Sequence, residues 1–405
     1  VFLLGAISLV VDSGYSIGCA LLLLGGLYSL FVRKKLVLTR EDWLVIGVLL
    51  AFGLVNILDV ALHQAGSRYL DKPVRFILAA FAFVLVRKYP PRLSWLWAGL
   101  AVGGILTGGW SFYQKLFLNI DRAGGFTFVI QYGNISMLTG FLCLAGLAWA
   151  HVQPQRKIWV PFLLIGAAGG MMSSLLSGSR GGWVGLPLVF LVLYRAYGDF
   201  FSTRWKVLGL GLLMAAAALV YSAPQLGVQG RVLLAINDIK MYSQGESVSS
   251  LGARFEMWKG ASQLFLQKPV FGWGSINYEP AMQELVKQGK AHPIVSDFGH
   301  AHNEFIDNAA KRGMIGLLSL LALYLVPLRL FSAGLRSPDM TLRSLATAGT
   351  LLPVAYIDFG LSQVFFAHNS GVMIYAFWLM VLWGCYRNAQ DGRSNRLATT
   401  HPGVA

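Results

Sequence analysis

Apolar runs of about 20 residues recur along the whole chain, and that repetition leaves few folds open. Stretches within them such as residues 20–31, 208–221 and 316–326 are apolar without interruption by alternation. A run of this kind is long enough to cross the bilayer as a helix. In lipid, only helices and closed barrels satisfy every backbone N–H and C=O. Barrel strands would alternate apolar and polar residues, and these runs do not. The expected fold is an all-α integral membrane protein with about 12 transmembrane helices and one long periplasmic loop containing short helices. Charged residues make up 13% of the 405, about half the usual share of a soluble domain.

The spans read as residues 1–12, 15–32, 43–62, 73–87, 93–113, 127–150, 158–177, 182–197, 205–222, 304–328, 343–364 and 368–386. The chain opens at Val1 inside an apolar run, so the first span reads as trimmed. Every second connection is dense in Lys and Arg: Arg33, Lys34, Lys35 and Arg40; Arg87, Lys88 and Arg92; Arg156 and Lys157; Arg195, Arg204 and Lys206; Arg329, Arg336 and Arg343; Arg387, Arg393 and Arg396. Loops of that kind face the cytoplasm, which sets both termini there in a bacterial inner membrane. The net charge of +15 would suggest nucleic acid in a soluble protein; here it sets topology, and no nucleic-acid partner is expected.

The opposite set holds short links near residues 63–72, 114–126, 178–181 and 365–367, and one long stretch, 222–303. The organisation that follows is 1–222 as helices one to nine, 223–303 as the periplasmic loop, 304–387 as helices ten to twelve, and 388–405 as a flexible cytoplasmic tail. Within the loop, which includes Pro224, residues 253–266 and 281–287 read as short helices around a turn-rich segment at 268–274. Cys19, Cys143 and Cys385 lie in apolar runs without metal-ligand spacing and read as packing residues.

Three polar groups on the outer side stand out. Arg180 sits in Ser177-Gly178-Ser179-Arg180-Gly181-Gly182, squeezed between two spans. Glycines let backbone approach a ligand, and a guanidinium presents five donors suited to phosphate; an arginine here also simply reaches lipid headgroups. Arg254 opens Ala253-Arg254-Phe255-Glu256-Met257-Trp258, where an Arg–Glu surface pair is the plainer reading. His302 lies in Gly299-His300-Ala301-His302-Asn303-Glu304, just before span ten. A histidine near neutrality can take a proton from an attacking hydroxyl. His300 and His302 could instead chelate, but no further ligands complete a site, so no metal is expected. His368 occupies the same level and competes with His302; His292 and His300 read as loop residues. Glu304, Asp307 and Asp297 are candidates to orient His302. Asp59 and Asp358 are the charges set inside spans, with a structural role for Asp358 the plainer reading.

His302-Asn303, nine residues, then Gly313-Met314-Ile315-Gly316 resembles the signature of the O-antigen ligases. Ser179-Arg180-Gly181 and Arg254-x-x-x-Trp258 resemble two other marked positions of that superfamily, and Leu70-Asp71-Lys72-Pro73-Val74-Arg75 resembles a recurrent segment at its fourth span. The resemblance implies a metal-independent, inverting transfer without cofactor. The donor is a glycan on undecaprenyl pyrophosphate, the acceptor a sugar hydroxyl of lipid A–core, both met among membrane lipids. It implies His302 as base, Arg180 and Arg254 on the pyrophosphate, and Arg75, Asn303, Trp258 and His368 as substrate-binding residues. A leaving pyrophosphate needs fixed positive charge where its own charge develops, which two arginines supply without a metal. O-antigen polymerases and protein O-oligosaccharyltransferases share the signature and are the alternative; a transporter or flippase would carry more ionisable residues at mid-span.

Overall fold

The computed structural model describes residues 1–223 and 227–400, with the side chains of all of these except Arg180, Leu213, Ala216 and residues 395–400. Pro224 therefore lies outside the described residues. Regular structure among them is entirely helical. The first half holds α1 (Phe2–Ala6), α2 (Gly14–Phe31), α3 (Arg40–Leu62), α4 (Asp71–Lys88), α5 (Leu93–Leu116), α6 (Val129–Ala145), α7 (Leu147–His151) and α8 (Arg156–Ser177). Then come α9 (Leu186–Tyr197), α10 (Thr203–Ser222), α11 (Val228–Ser243), α12 (Ser250–Gln267), α13 (Tyr278–Lys287), α14 (Glu304–Ser332), α15 (Met340–Ser362) and α16 (Asn369–Thr400). Local chemistry sets the ends. Thr39 and Asp42 close a capping box at the start of α3, Asp339 caps α15, and Gly178 ends α8 in the left-handed region, as such residues do.

Each of the twelve expected spans falls on a helix. Eight helical segments among the described residues are long and apolar enough to cross a membrane. Of the others, α1 and α9 are short, at 5 and 12 residues, and α4 carries Asp71, Lys72, Arg75, Arg87 and Lys88. The centre of the bundle is α15 and α16, whose spans are almost wholly buried, while α10 buries none of its own. Helices α5 and α8 approach at glycine, where a Cβ on Gly104 would overlap the Gly166 carbonyl; small residues permit that contact in membranes. All three cysteines are buried and free.

Several of the Lys- and Arg-rich connections meet one another in the structure. At the basic end, Lys88 Nζ donates to the Ser29 carbonyl at 2.8 Å and Arg387 pairs with Asp42 at 3.3 Å. The segment from 388, expected as a loose tail, instead continues α16. It is held there because Asn388 Nδ2 donates to the Val86 carbonyl at 2.8 Å and Arg87 pairs with Asp391 at 2.8 Å; residues 401–405 lie outside the described residues. At the other end, α12 and α13 share a small core of Met257, Leu264, Tyr278, Met282 and Leu285. Helix α11, which the sequence reading left without structure, precedes them with Leu233, Leu234, Ile236 and Ile239 exposed.

Candidate active site

The long loop is fastened to α14 through a break in that helix. Gly313 has φ 61° and ψ −155°, a conformation costly for any residue with a Cβ. The break frees backbone groups, and the turn at 268–274 takes them up. Trp273 N donates to the Ala310 carbonyl at 3.0 Å, Gly274 N to Lys311 at 2.8 Å, and Met314 N to Pro269 at 2.7 Å. A Cβ on Gly313 would overlap the Val270 carbonyl. The spaced glycine downstream of His302 is thus a docking point for the loop. A second fastening ties the loop to α3: Ser275 Oγ donates to Asp59 Oδ2 at 2.6 Å and Arg312 Nε lies 3.2 Å from the same oxygen. The mid-span Asp59 is paired.

His302 stands at the start of α14 with φ 49°, a strained setting of the kind that gathers at functional sites. Its Nδ1 lies 2.7 Å from Gln363 Oε1. Val364 N also donates to that oxygen, at 3.3 Å. A backbone N–H demands an acceptor, so the Gln363 atom is the carbonyl oxygen and His302 Nδ1 carries the proton. That tautomer leaves Nε2 with the free lone pair, the form a general base requires. The residues expected to orient the ring are engaged elsewhere. Glu304 accepts from Phe366 N at 2.9 Å and Asn308 Nδ2 at 3.1 Å. Asp307 accepts from Ala301 N at 3.0 Å and pairs with Lys311 at 2.9 Å, and Asp297 takes a hydrogen bond from Ser296. Gln363 carried no signal in the sequence, since nothing marks a glutamine 61 residues downstream as a partner of His302.

The surroundings keep these rings neutral. Burial first, then the Arg254 charge, lower the His302 pKa, with the Gln363 hydrogen bond opposing. His300, its ring 4.2 Å from that of His302, is lowered to about 4, chiefly by burial and then by His302. His368 is also lowered to about 4 by burial, then by Lys72 and His302. The influence of Arg254 on His302, and of His302 on His368, brings three sequence-predicted residues into one cluster.

The remaining candidates divide. Trp258 lies one turn beyond Arg254, packs on Phe255 at 5.5 Å, and keeps a buried indole N–H without a partner. Asn303 is the helix cap: its Oδ1 accepts from Phe305 N and Ile306 N, and its Nδ2 donates to the Leu361 carbonyl. Arg75 is gripped by Asp71 at 2.7 and 2.8 Å and reaches Met373; no contact brings it to His302. Arg180 has its backbone in the short turn Arg180–Gly182, and its side chain lies outside the described residues. Asp358 packs beneath Gly185, whose Cβ it would occupy. Among the described residues, no three His, Cys, Asp or Glu side chains gather to hold an ion.

Residues 171–321 match the family model described as O-antigen ligase. That stretch runs from the Arg180 turn through Arg254 and His302 to the broken helix at Gly313. This stretch of the chain is similar to the O-antigen ligases. A relative from Haemophilus influenzae, described as uncharacterized, is 27% identical over 369 residues, spanning 91% of this chain and 92% of its own length. The O-antigen ligase of Escherichia coli K12 is 25% identical over 194 residues, 47% of this chain and 44% of that protein. Gln363, His368, Lys72 and Asp59 fall outside the stretch matched to the O-antigen ligase model. The family signature thus carries the histidine and the arginines, and the fold brings the partners to them.

Proposed function

We propose that this chain transfers an O-antigen glycan from undecaprenyl pyrophosphate to a sugar hydroxyl of lipid A–core, at the periplasmic face of the inner membrane. The observation that carries the reading is the tautomer of His302. Gln363 and Val364 together hold the proton on Nδ1, within the electrostatic reach of Arg254, in a chain whose residues 171–321 match the O-antigen ligase model. The relative bearing that name points to the same class of reaction.

In this reading the acceptor hydroxyl gives its proton to His302 Nε2 as its oxygen attacks the anomeric carbon. The bond from that carbon to the phosphate oxygen breaks on the opposite face, so the configuration inverts. Undecaprenyl pyrophosphate leaves with the electron pair, and its growing charge meets Arg254, with Arg180 as the second arginine from the sequence. A cation fixed in place before the reaction costs no reorganisation during it. The site lies at the end of the bundle opposite the basic connections, which the positive-inside bias assigns to the periplasm.

The test is a purified assay with lipid-linked glycan as donor and either lipid A–core or a second lipid-linked glycan as acceptor. Transfer to lipid A–core is expected, unchanged by EDTA. Transfer only to lipid-linked glycan would make the chain a polymerase, and loss of activity on chelation restored by Mg²⁺ would remove the arginine account of the leaving group.

A further inference from the structure

A cavity of about 450 Å³ lies beside the histidine cluster, enclosed by α3, the first turns of α4 and α14, and Ser275 of the long loop. Its wall suits a saccharide. Phe52 and Phe366 line the cavity, with Asn56, Tyr69 and Asn308 among the polar lining residues. Such a mixture of apolar surface and a few convergent polar groups is what small-molecule pockets present.

Four cations and two acids also line it. Two of the cations are already committed: Lys311 to Asp307 at 2.9 Å, and Arg312 to Asp59 at 3.2 Å. Lys72 and Arg68 pair with no carboxylate among the described residues; the Arg68 guanidinium lies over the Tyr69 ring at 5.0 Å. Lys72 is half-buried on the first turn of α4. It also lines a second, more open cavity of about 540 Å³ with His368, Phe128 and Tyr15. The two cavities share Lys72 and Ala367, and His368 lines the second. Arg75, the cation expected from the sequence in this segment, lines neither.

We propose that the polar cavity is the acceptor-saccharide pocket and that Lys72 and Arg68 recognise an acidic substituent, a phosphate or carboxylate, on the acceptor sugar. This rests on the glycosyl-transfer reading above. The polar, loop-covered wall fits a hydrophilic acceptor head better than a polyprenyl donor, whose tail needs apolar access.

The experiment measures binding without any donor. Full-length protein in lipid nanodiscs is titrated with delipidated, phosphorylated core oligosaccharide and with the same material after phosphatase treatment. A charge-assisted hydrogen bond is worth about 1.5–3 kcal/mol, or roughly tenfold to a hundredfold in affinity. Wild-type protein should lose about that much on phosphate removal. Lys72→Met should lose it with phosphate present, Lys72→Arg should keep most of it, and Arg68→Met, altering an exposed residue, should weaken binding in the same sense. The assignment is overturned if both oligosaccharides bind alike, if neither binds, or if Lys72→Met loses affinity for inorganic pyrophosphate instead. Because no donor is present, this result stands or falls separately from the transfer assay.

Discussion

Both ends of the bundle are rich in charge, and they treat it in opposite ways. At the basic end the buried charges meet counter-charges or carbonyls, with Arg87 Nε and Arg387 Nε left without a hydrogen bond of their own among the described residues. Asp42, fully buried, receives Trp383 Nε1 at 2.9 Å and Arg387 at 3.3 Å while closing the cap of α3. Lys88 sits among the last carbonyls of α2, where a helix end favours a cation. At the histidine end the matching is incomplete. Among the described residues, His300 Nδ1 and the Trp258 indole are buried without hydrogen-bond partners, as are both amide atoms of Gln131 and of Asn134. Unmatched buried polarity is costly. The basic end holds helices together; the histidine end holds polar groups ready for something else.

The strongest way to break this comparison is to remove the proposed base. His302→Ala should reduce transfer per folded molecule by about 10²–10⁴, and Arg254→Ala by about 10²–10³, with thermal stability little changed. Gln363 tests the tautomer. Since the His302 pKa is lowered below 6.5, the wild-type rate should be flat near pH 7 and fall on acidification as Nε2 protonates. Gln363→Glu places a carboxylate beside the ring, favours the imidazolium, and should move that acidic limb to higher pH. An unshifted pH–rate profile would remove Gln363 from its positioning role.

The basic end should answer in stability rather than chemistry. Asp42→Ala leaves the buried Trp383 N–H without its acceptor and opens the cap of α3, while Arg387 keeps Glu41. It should cost about 1–3 kcal/mol, read as a fall in the thermal unfolding midpoint, with transfer per folded molecule unchanged. A matching fall in turnover would merge the two ends into one functional unit.

Gly313→Ala lies between the two. Left-handed backbone alone costs a residue with a Cβ roughly 1–2 kcal/mol, and the added methyl meets the Val270 carbonyl. Stability and transfer should fall together, with faster proteolysis in the 268–274 turn. A variant with normal turnover would show that docking of the loop is dispensable.

A further difference lies in the pH dependence of stability. His300 and His368 titrate near 4 in the fold and near 6.5 when unfolded. Between those values the unfolded chain binds more protons, so stability rises with pH across that window and is level above it. The unfolding midpoint should follow that course, and a histidine-end double variant, His300→Gln with His368→Gln, should flatten it.

Much of this was legible beforehand. Apolar runs announced the helices, because hydropathy is local to a stretch of chain. His302 and Arg254 were singled out by motifs, and the structure sets them within electrostatic reach of each other. The exceptions share a cause. Gln363 orients His302 from 61 residues away, Asp59 meets Arg312 across more than two hundred positions, and Asn388 extends α16 by reaching α4. None of these pairings leaves a trace in either partner's neighbourhood.

Asn303 and Gly313 show the same division within one motif. Their spacing marked the family, but their roles as helix cap and helix break emerge only with the neighbouring segments in place. Lys72 and Arg75 show it again, three residues apart on α4 and equally basic. Asp71 claims one, and the other faces two cavities. The sequence by itself determined the helical class and the run of apolar helices, since hydropathy acts locally. Only the tertiary structure decided which charges are matched and which stand open, because the match depends on groups that the chain brings together from distant turns.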